Sequence, residues 1–162
     1  WQDLRVQNHG ISADITFGVL ARLDAVIKQR PEKVFLMIGI NDIARGIPDS
    51  VIISNHRKIA KRLKQSSPQT TLYLQSVLPT NNEFTEFKNH QNKQAHITAV
   101  NAGLQQIAAE TNSIYVDLHT RFLDDQGRLS TQYTNDGLHL TGAGYQLWKS
   151  ILEDLDYCCA KD

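Results

Sequence analysis

The chain has 162 residues, the length of about one domain, so residues 1–162 are expected to form a single domain. Hydrophobic residues make up 41% and charged residues 21%, which excludes a disordered or fibrous chain. The 17 Lys and Arg balance 17 Asp and Glu; a zero net charge leaves no electrostatic footprint for a nucleic-acid partner, and no apolar run reaches the roughly 20 residues of a bilayer span.

Arg5-Val6-Gln7-Asn8 reads as the tail of a strand. From about Asp14 to Gln29, Ile15, Val19, Leu23, Val26 and Ile27 recur at spacings of three and four, the pattern of an amphipathic helix. Asp14 or Ser12 is placed to cap it, and Pro31 stops it. Val34 to Ile38 is a near-continuous apolar run, which predicts a strand buried on both faces. Pro48 opens a second helix with Ile52, Ile59 and Leu63 on one face, ending before Pro68. Thr71 to Val77 is a strand, and a polar stretch from Pro79 to Gln94 follows. A third helix is predicted from about Ala95 to Glu110, a strand from Ser113 to Leu118, and a last helix from about Gly142 to Leu155 that buries Trp148, Ile151, Leu152 and Leu155. Strands alternating with helices imply right-handed βαβ units, hence an α/β fold with a doubly wound parallel sheet. Cys158 and Cys159, the only cysteines, are adjacent; such a pair rarely bridges to itself and is read as incidental thiols.

In such sheets ligands bind beyond the C-terminal ends of the strands, and three segments fall there. In Asp136-Gly137-Leu138-His139 a spacing of three puts both side chains on one face of a turn. An aspartate accepting from one imidazole nitrogen leaves the other as a base, able to deprotonate a serine; a plain turn with a helix-capping histidine is the alternative. In Gly39-Ile40-Asn41-Asp42, Asn41 offers a side-chain amide to a developing oxyanion, with a loop start as the alternative, and Asp42 is expected to hold local backbone N–H groups. In Gly10-Ile11-Ser12-Ala13-Asp14, backbone N–H groups suit an oxyanion. Ser12 lacks the second glycine of a nucleophile elbow and is read as a cap or packing residue.

These segments together resemble the SGNH/GDSL hydrolase family. Asn8-x-Gly10-Ile11-Ser12-x-Asp14 is similar to its second block, Gly39-x-Asn41-Asp42 to its third and Asp136-x-x-His139 to its fifth. The runs NHGISADITFGVLARLD and DGLHLTGAGY are similar to bacterial acylhydrolases related to platelet-activating-factor acetylhydrolase. The resemblance implies a flavodoxin-like three-layer sandwich and an ester hydrolase with a Ser-His-Asp triad. In that reading His139 is the base, Asp136 orients it, and Asn41 Nδ2 and the Ala13 N–H hold the oxyanion. The substrate would be a small acyl ester of a sugar or lipid alcohol, with Gly10 of the second block among the residues that bind it. Independently of the resemblance, the long Pro79 to Gln94 stretch leaves the same C-terminal edge as Asn41, and Phe84 or Phe87 in it is expected to cover the acyl or alcohol pocket, with a solvated connector whose phenylalanines pack locally as the alternative. No metal or organic cofactor is implied.

Two departures stand out. The family's Gly-Asp-Ser block, which carries the nucleophile, does not occur in the 162 residues and would precede Trp1. The family's oxyanion glycine falls on Ala13. In the family's sheet the first strand lies between the second and third, so the expectation is an N-terminally incomplete domain, with a complementing N-terminal segment or a homo-oligomer as its partner. A non-catalytic binding module on the same fold is the rival reading. With Trp1 rather than Met first and no signal peptide visible, the compartment stays open.

Overall fold

The structure, a computed structural model, describes residues 6–154. Three parallel strands, β1 (Lys33–Leu36), β2 (Thr71–Gln75) and β3 (Ile114–Val116), form a sheet in the order β1-β2-β3. Val34 pairs with Leu72, and Leu74 with Tyr115. The helices are α1 (Thr16–Lys28), α2 (Ile40–Ala44), α3 (Asp49–Ser66), α4 (Gln94–Thr111) and α5 (Gly142–Asp154). The predicted α/β architecture with a parallel sheet is present.

Alternation along β2 divides the core in two, because successive side chains leave a strand on opposite faces. Leu72 and Leu74 join Ile52, Leu63, Ile97, Leu104 and Ile107 from α3 and α4, with Ile27 of α1 packed against them. Tyr73 points the other way, toward Phe122, Leu129 and Ile151 and Leu152 of α5. Helices thus cover both faces of the sheet.

Several local expectations change. Val34 to Ile38 was expected to be buried on both faces, yet β1 has no strand beside its outer edge among the described residues, and Phe35 stays 37% exposed while stacking on Tyr73. The strand buried on both faces is β2, which has a neighbour on each side. Residues 6–8 form no strand, and Val6 is 60% exposed; Arg5 lies outside the described residues, as do Leu155, Cys158 and Cys159. Neither Ser12 nor Asp14 caps α1, whose N-cap position is Ile15 with no side-chain cap. Asp42 does that work from 26 residues away. Its carboxylate accepts the Thr16 N–H at 3.1 and 3.0 Å and the Thr16 hydroxyl at 2.5 Å. Asp42 is therefore structural, as expected, but acts across the fold and not locally.

Candidate functional site

The turn after β1 is built to project Asn41. Gly39 has φ +131°, outside the range of ordinary L residues, and reverses the chain into the single helical turn α2. His56 of α3, fully buried, supports this turn through a 3.2 Å contact between Nε2 and the Ile38 carbonyl. Because a carbonyl only accepts, Nε2 is the protonated nitrogen. Burial pushes the His56 pKa down to about 4, against a smaller upward effect of the Ile38 bond, so the ring is neutral.

Asn41 Nδ2 donates to the Asp14 carbonyl at 3.0 Å. Arg45 donates to the Ala13 carbonyl at 2.9 Å, and Arg22 pairs with Asp14 and donates to the His9 carbonyl at 3.0 Å. These bonds fasten the 9–14 segment to α1 and α2. Ala13 adopts φ +59°, the left-handed region that favours glycine, and none of the described residues accepts its N–H. Gly10 donates its N–H to Asn8 Oδ1 at 2.8 Å in an exposed local turn.

Ahead of α5, Asp136 and His139 form a compact unit. Asp136 Oδ2 lies 2.7 Å from His139 Nδ1, while Oδ1 accepts the N–H groups of Leu138 and His139 at 2.9 and 2.7 Å. Partial burial pushes the Asp136 carboxyl up, but those backbone bonds and the imidazole together hold it below the ordinary carboxylate value. Thr134 braces the turn by donating to the His139 carbonyl at 2.7 Å and accepting from the Gly137 N–H at 3.0 Å. Gly137, at φ +81°, lies against the Asn81 carbonyl and Phe84, with no room for a Cβ. The His139 side chain is 64% exposed. It does not cap α5, which begins three residues later at Gly142.

The 79–94 loop joins these two halves. Phe87 meets the His139 ring edge-on with centroids 4.9 Å apart, and His90 Nε2 lies 3.1 Å from Asn41 Oδ1. Phe84 packs on Gly137. Phe87 and His90 also line a shallow depression of about 320 Å³ on the loop. Asn41, Phe87, His139 and Asp136 therefore form one connected constellation, with Ala13 attached through Arg45 and Asp14; Gly10 stands apart in its own turn. His90, Arg22, Arg45 and Thr134 carry no spacing signal that sequence reasoning could have used. Ser76, the serine beside the end of β2, spends its Oγ accepting the Leu118 and His119 N–H groups at 2.9 and 2.7 Å. Among the described residues no group of three or more His, Cys, Asp or Glu is arranged to hold a metal ion, and no helix is long and apolar enough to cross a membrane.

The chain belongs to the GDSL-like lipase/acylhydrolase family, whose pattern matches residues 2–147. It is similar to an arylesterase of Vibrio mimicus, 38% identical over 81 residues, covering 49% of this chain and 40% of the relative. An acetylxylan esterase of Geobacillus stearothermophilus is 28% identical over 163 residues, covering 95% of this chain and 73% of the relative. Among solved structures, a protein of Streptococcus pneumonia provisionally described as a platelet activating factor superimposes with a TM-score of 0.85 at 29% identity, covering 94% of this chain and 73% of that one. The chain spans less than half of its first curated relatives, 40% of the arylesterase and 30% of an N-acylneuraminate cytidylyltransferase of Streptococcus agalactiae.

Proposed function

We propose that the whole protein is an ester hydrolase of the serine type, and that His139 is its general base. The observation that carries this reading is the 2.7 Å bond between His139 Nδ1 and Asp136. With Nδ1–H donated to a carboxylate, Nε2 is left as the basic nitrogen, on an exposed ring beside Phe87 of the 79–94 loop. His139 takes the proton of a serine hydroxyl as that oxygen attacks the acyl carbon, then returns it to the departing alcohol. The serine is the one carried by the family's Gly-Asp-Ser block, which residues 1–162 do not include. Negative charge gathering on the carbonyl oxygen is met by the second Nδ2–H of Asn41, its first being held by Asp14, and by the Ala13 N–H.

The walls support a short acyl group. Phe87 beside His139 offers a small apolar surface suited to a short acyl chain, and Phe84 packs against Gly137 of the turn that carries His139. An acetyl or similarly short ester on a sugar or lipid alcohol fits this setting, and the likeness to an acetylxylan esterase supports the acetyl choice.

Hydrolysis of p-nitrophenyl acetate by the whole protein tests the reading. His139→Ala is expected to lower kcat by roughly a thousand-fold or more, and Asn41→Ala by about a hundred-fold. If His139→Ala hydrolyses the ester within a factor of two of the wild type, His139 is not the base.

A further inference from the structure

We propose that His90 is a positioning residue for Asn41: its Nε2–H donates to Asn41 Oδ1 and fixes the side-chain amide in the rotation that presents Nδ2 to the oxyanion. The assignment of donor and acceptor follows from Asp14. The Asp14 carbonyl only accepts, so the Asn41 atom 3.0 Å from it is the amide nitrogen. The opposite atom, 3.1 Å from His90 Nε2, is then the oxygen, and His90 must carry its proton on Nε2.

The rest of the His90 surroundings agree. Its Nδ1 is buried with no hydrogen-bond partner. A lone pair tolerates that position better than an N–H would, since an orphaned buried donor forfeits its full solvation. Burial, and after it the neighbouring His139 and Lys93, lower the His90 pKa, which favours the neutral ring. The segment is anchored on both sides. Thr80 donates to the His90 carbonyl at 3.1 Å, Gln91 donates to the Phe84 carbonyl, and Phe87 sits edge-on to His90 with centroids 5.9 Å apart. The charged groups of the facing helix α2 are engaged elsewhere, Asp42 with Thr16 and Arg45 with Ala13. An asparagine amide held by Asp14 alone could swing about that single bond; held at both ends it cannot. Preorganisation of this kind is what makes an oxyanion donor effective, because no reorientation is needed as charge develops.

This inference rests on the ester-hydrolase reading for its catalytic meaning, and the experiment separates the two. The whole protein is compared with His90→Leu, His90→Gln, Asn41→Ala and the His90→Leu/Asn41→Ala double variant. His90→Leu is expected to lower kcat about ten-fold with KM unchanged, because the bond it supports matters in the transition state. His90→Gln, whose amide can supply the same donor, is expected to stay within about three-fold of the wild type. On the Asn41→Ala background His90→Leu is expected to cost nothing further, since two residues acting through one amide are not additive. An equal loss on both backgrounds, or no rescue by glutamine, overturns the proposal. Nitrogen NMR of the imidazoles gives a readout independent of turnover: at neutral pH the His90 ring is expected as the Nε2–H tautomer, and an Nδ1–H tautomer overturns the proposal outright. If Asn41→Ala and His139→Ala both leave hydrolysis intact, it is the ester-hydrolase reading that falls, and the His90 tautomer alone decides the hydrogen bond.

Discussion

Ala13 occupies a backbone conformation that its side chain disfavours. An L residue at φ +59° gives up roughly 1 kcal/mol to its own Cβ. Glycine would relieve that strain but return a similar amount, about 0.4–1 kcal/mol, to the freedom of the unfolded chain. Ala13→Gly is therefore expected to leave the melting temperature within a few degrees and kcat within a factor of about three, since Arg45 and Asn41 hold the carbonyls of Ala13 and Asp14, and with them the path of this turn, without help from the methyl group. Ala13→Val puts a branched Cβ at the same φ and is expected to lower both, by about 1–2 kcal/mol in stability. Thermal unfolding and p-nitrophenyl acetate turnover of the two variants check this. At this scale the sequence is informative where the chemistry is local. Asp136 and His139 are three residues apart, so their spacing offers the pairing beside a plain turn, and the company of the other two segments favours it. His90 and Asn41 are 49 residues apart and Asp42 and Thr16 are 26 apart; no periodicity links such pairs, and only the folded chain brings them together.

Elements hold the site by their ends. Where β2 stops, Asn101 of α4 takes over as a strand would: its Oδ1 accepts the Val77 N–H at 2.8 Å and its Nδ2 donates to the Val77 carbonyl at 3.0 Å. This closes off the last backbone groups before the 79–94 loop departs. Asn101→Leu keeps the volume and removes both bonds, leaving the buried Val77 N–H unpaired while the Val77 carbonyl keeps His119 Nδ1 at 3.1 Å. At about 1–3 kcal/mol for an unsatisfied buried group, a loss of that size is expected in urea unfolding, together with reduced turnover as the root of the loop shifts. A loss under 0.5 kcal/mol would show that water replaces the amide without penalty. The periodic helices and the three strands were readable because apolar spacing records which face is buried. The single-turn α2 was not, being too short to show a period and made by Gly39. The rank of the strands also escaped. Val34 to Ile38 is the most apolar run, but centrality in the sheet depends on neighbours, and β2 has them on both sides.

For the whole molecule, His56 couples folding to pH. Its pKa lies near 4 in the folded state, against about 6.5 when the ring is exposed. From about pH 6.5 down to 4 the unfolded chain binds a proton that the native state refuses, so stability is full above that window and falls as pH falls through it. At about 1.4 kcal/mol per unit, the loss across the window is on the order of 3 kcal/mol. Asp42 works in the other sense, since burial raises its pKa despite the Thr16 bonds, and protonation there is taken up more readily by the folded state. Comparing the wild type with His56→Gln isolates the histidine. The variant is expected to lose the pH dependence of one proton between pH 7 and 5 in urea titrations, and parallel curves for the two proteins would rule the coupling out.

The ties between the 13–16 segment and α2 also bear on how this architecture can drift. Thr16 to Asp42, Asp14 to Asn41 and Ala13 to Arg45 are side-chain bonds spanning 26, 27 and 32 residues. The distance between the Ala13 amide and the Asn41 amide is thus set by a direct strap and not by the path of the chain through α1 and β1. Helix α1 can lengthen, shorten or change its outer face without altering that distance. Substitutions at Thr16, Asp42 or Arg45, none of which touches a reacting atom in the proposed chemistry, are the ones that would alter it.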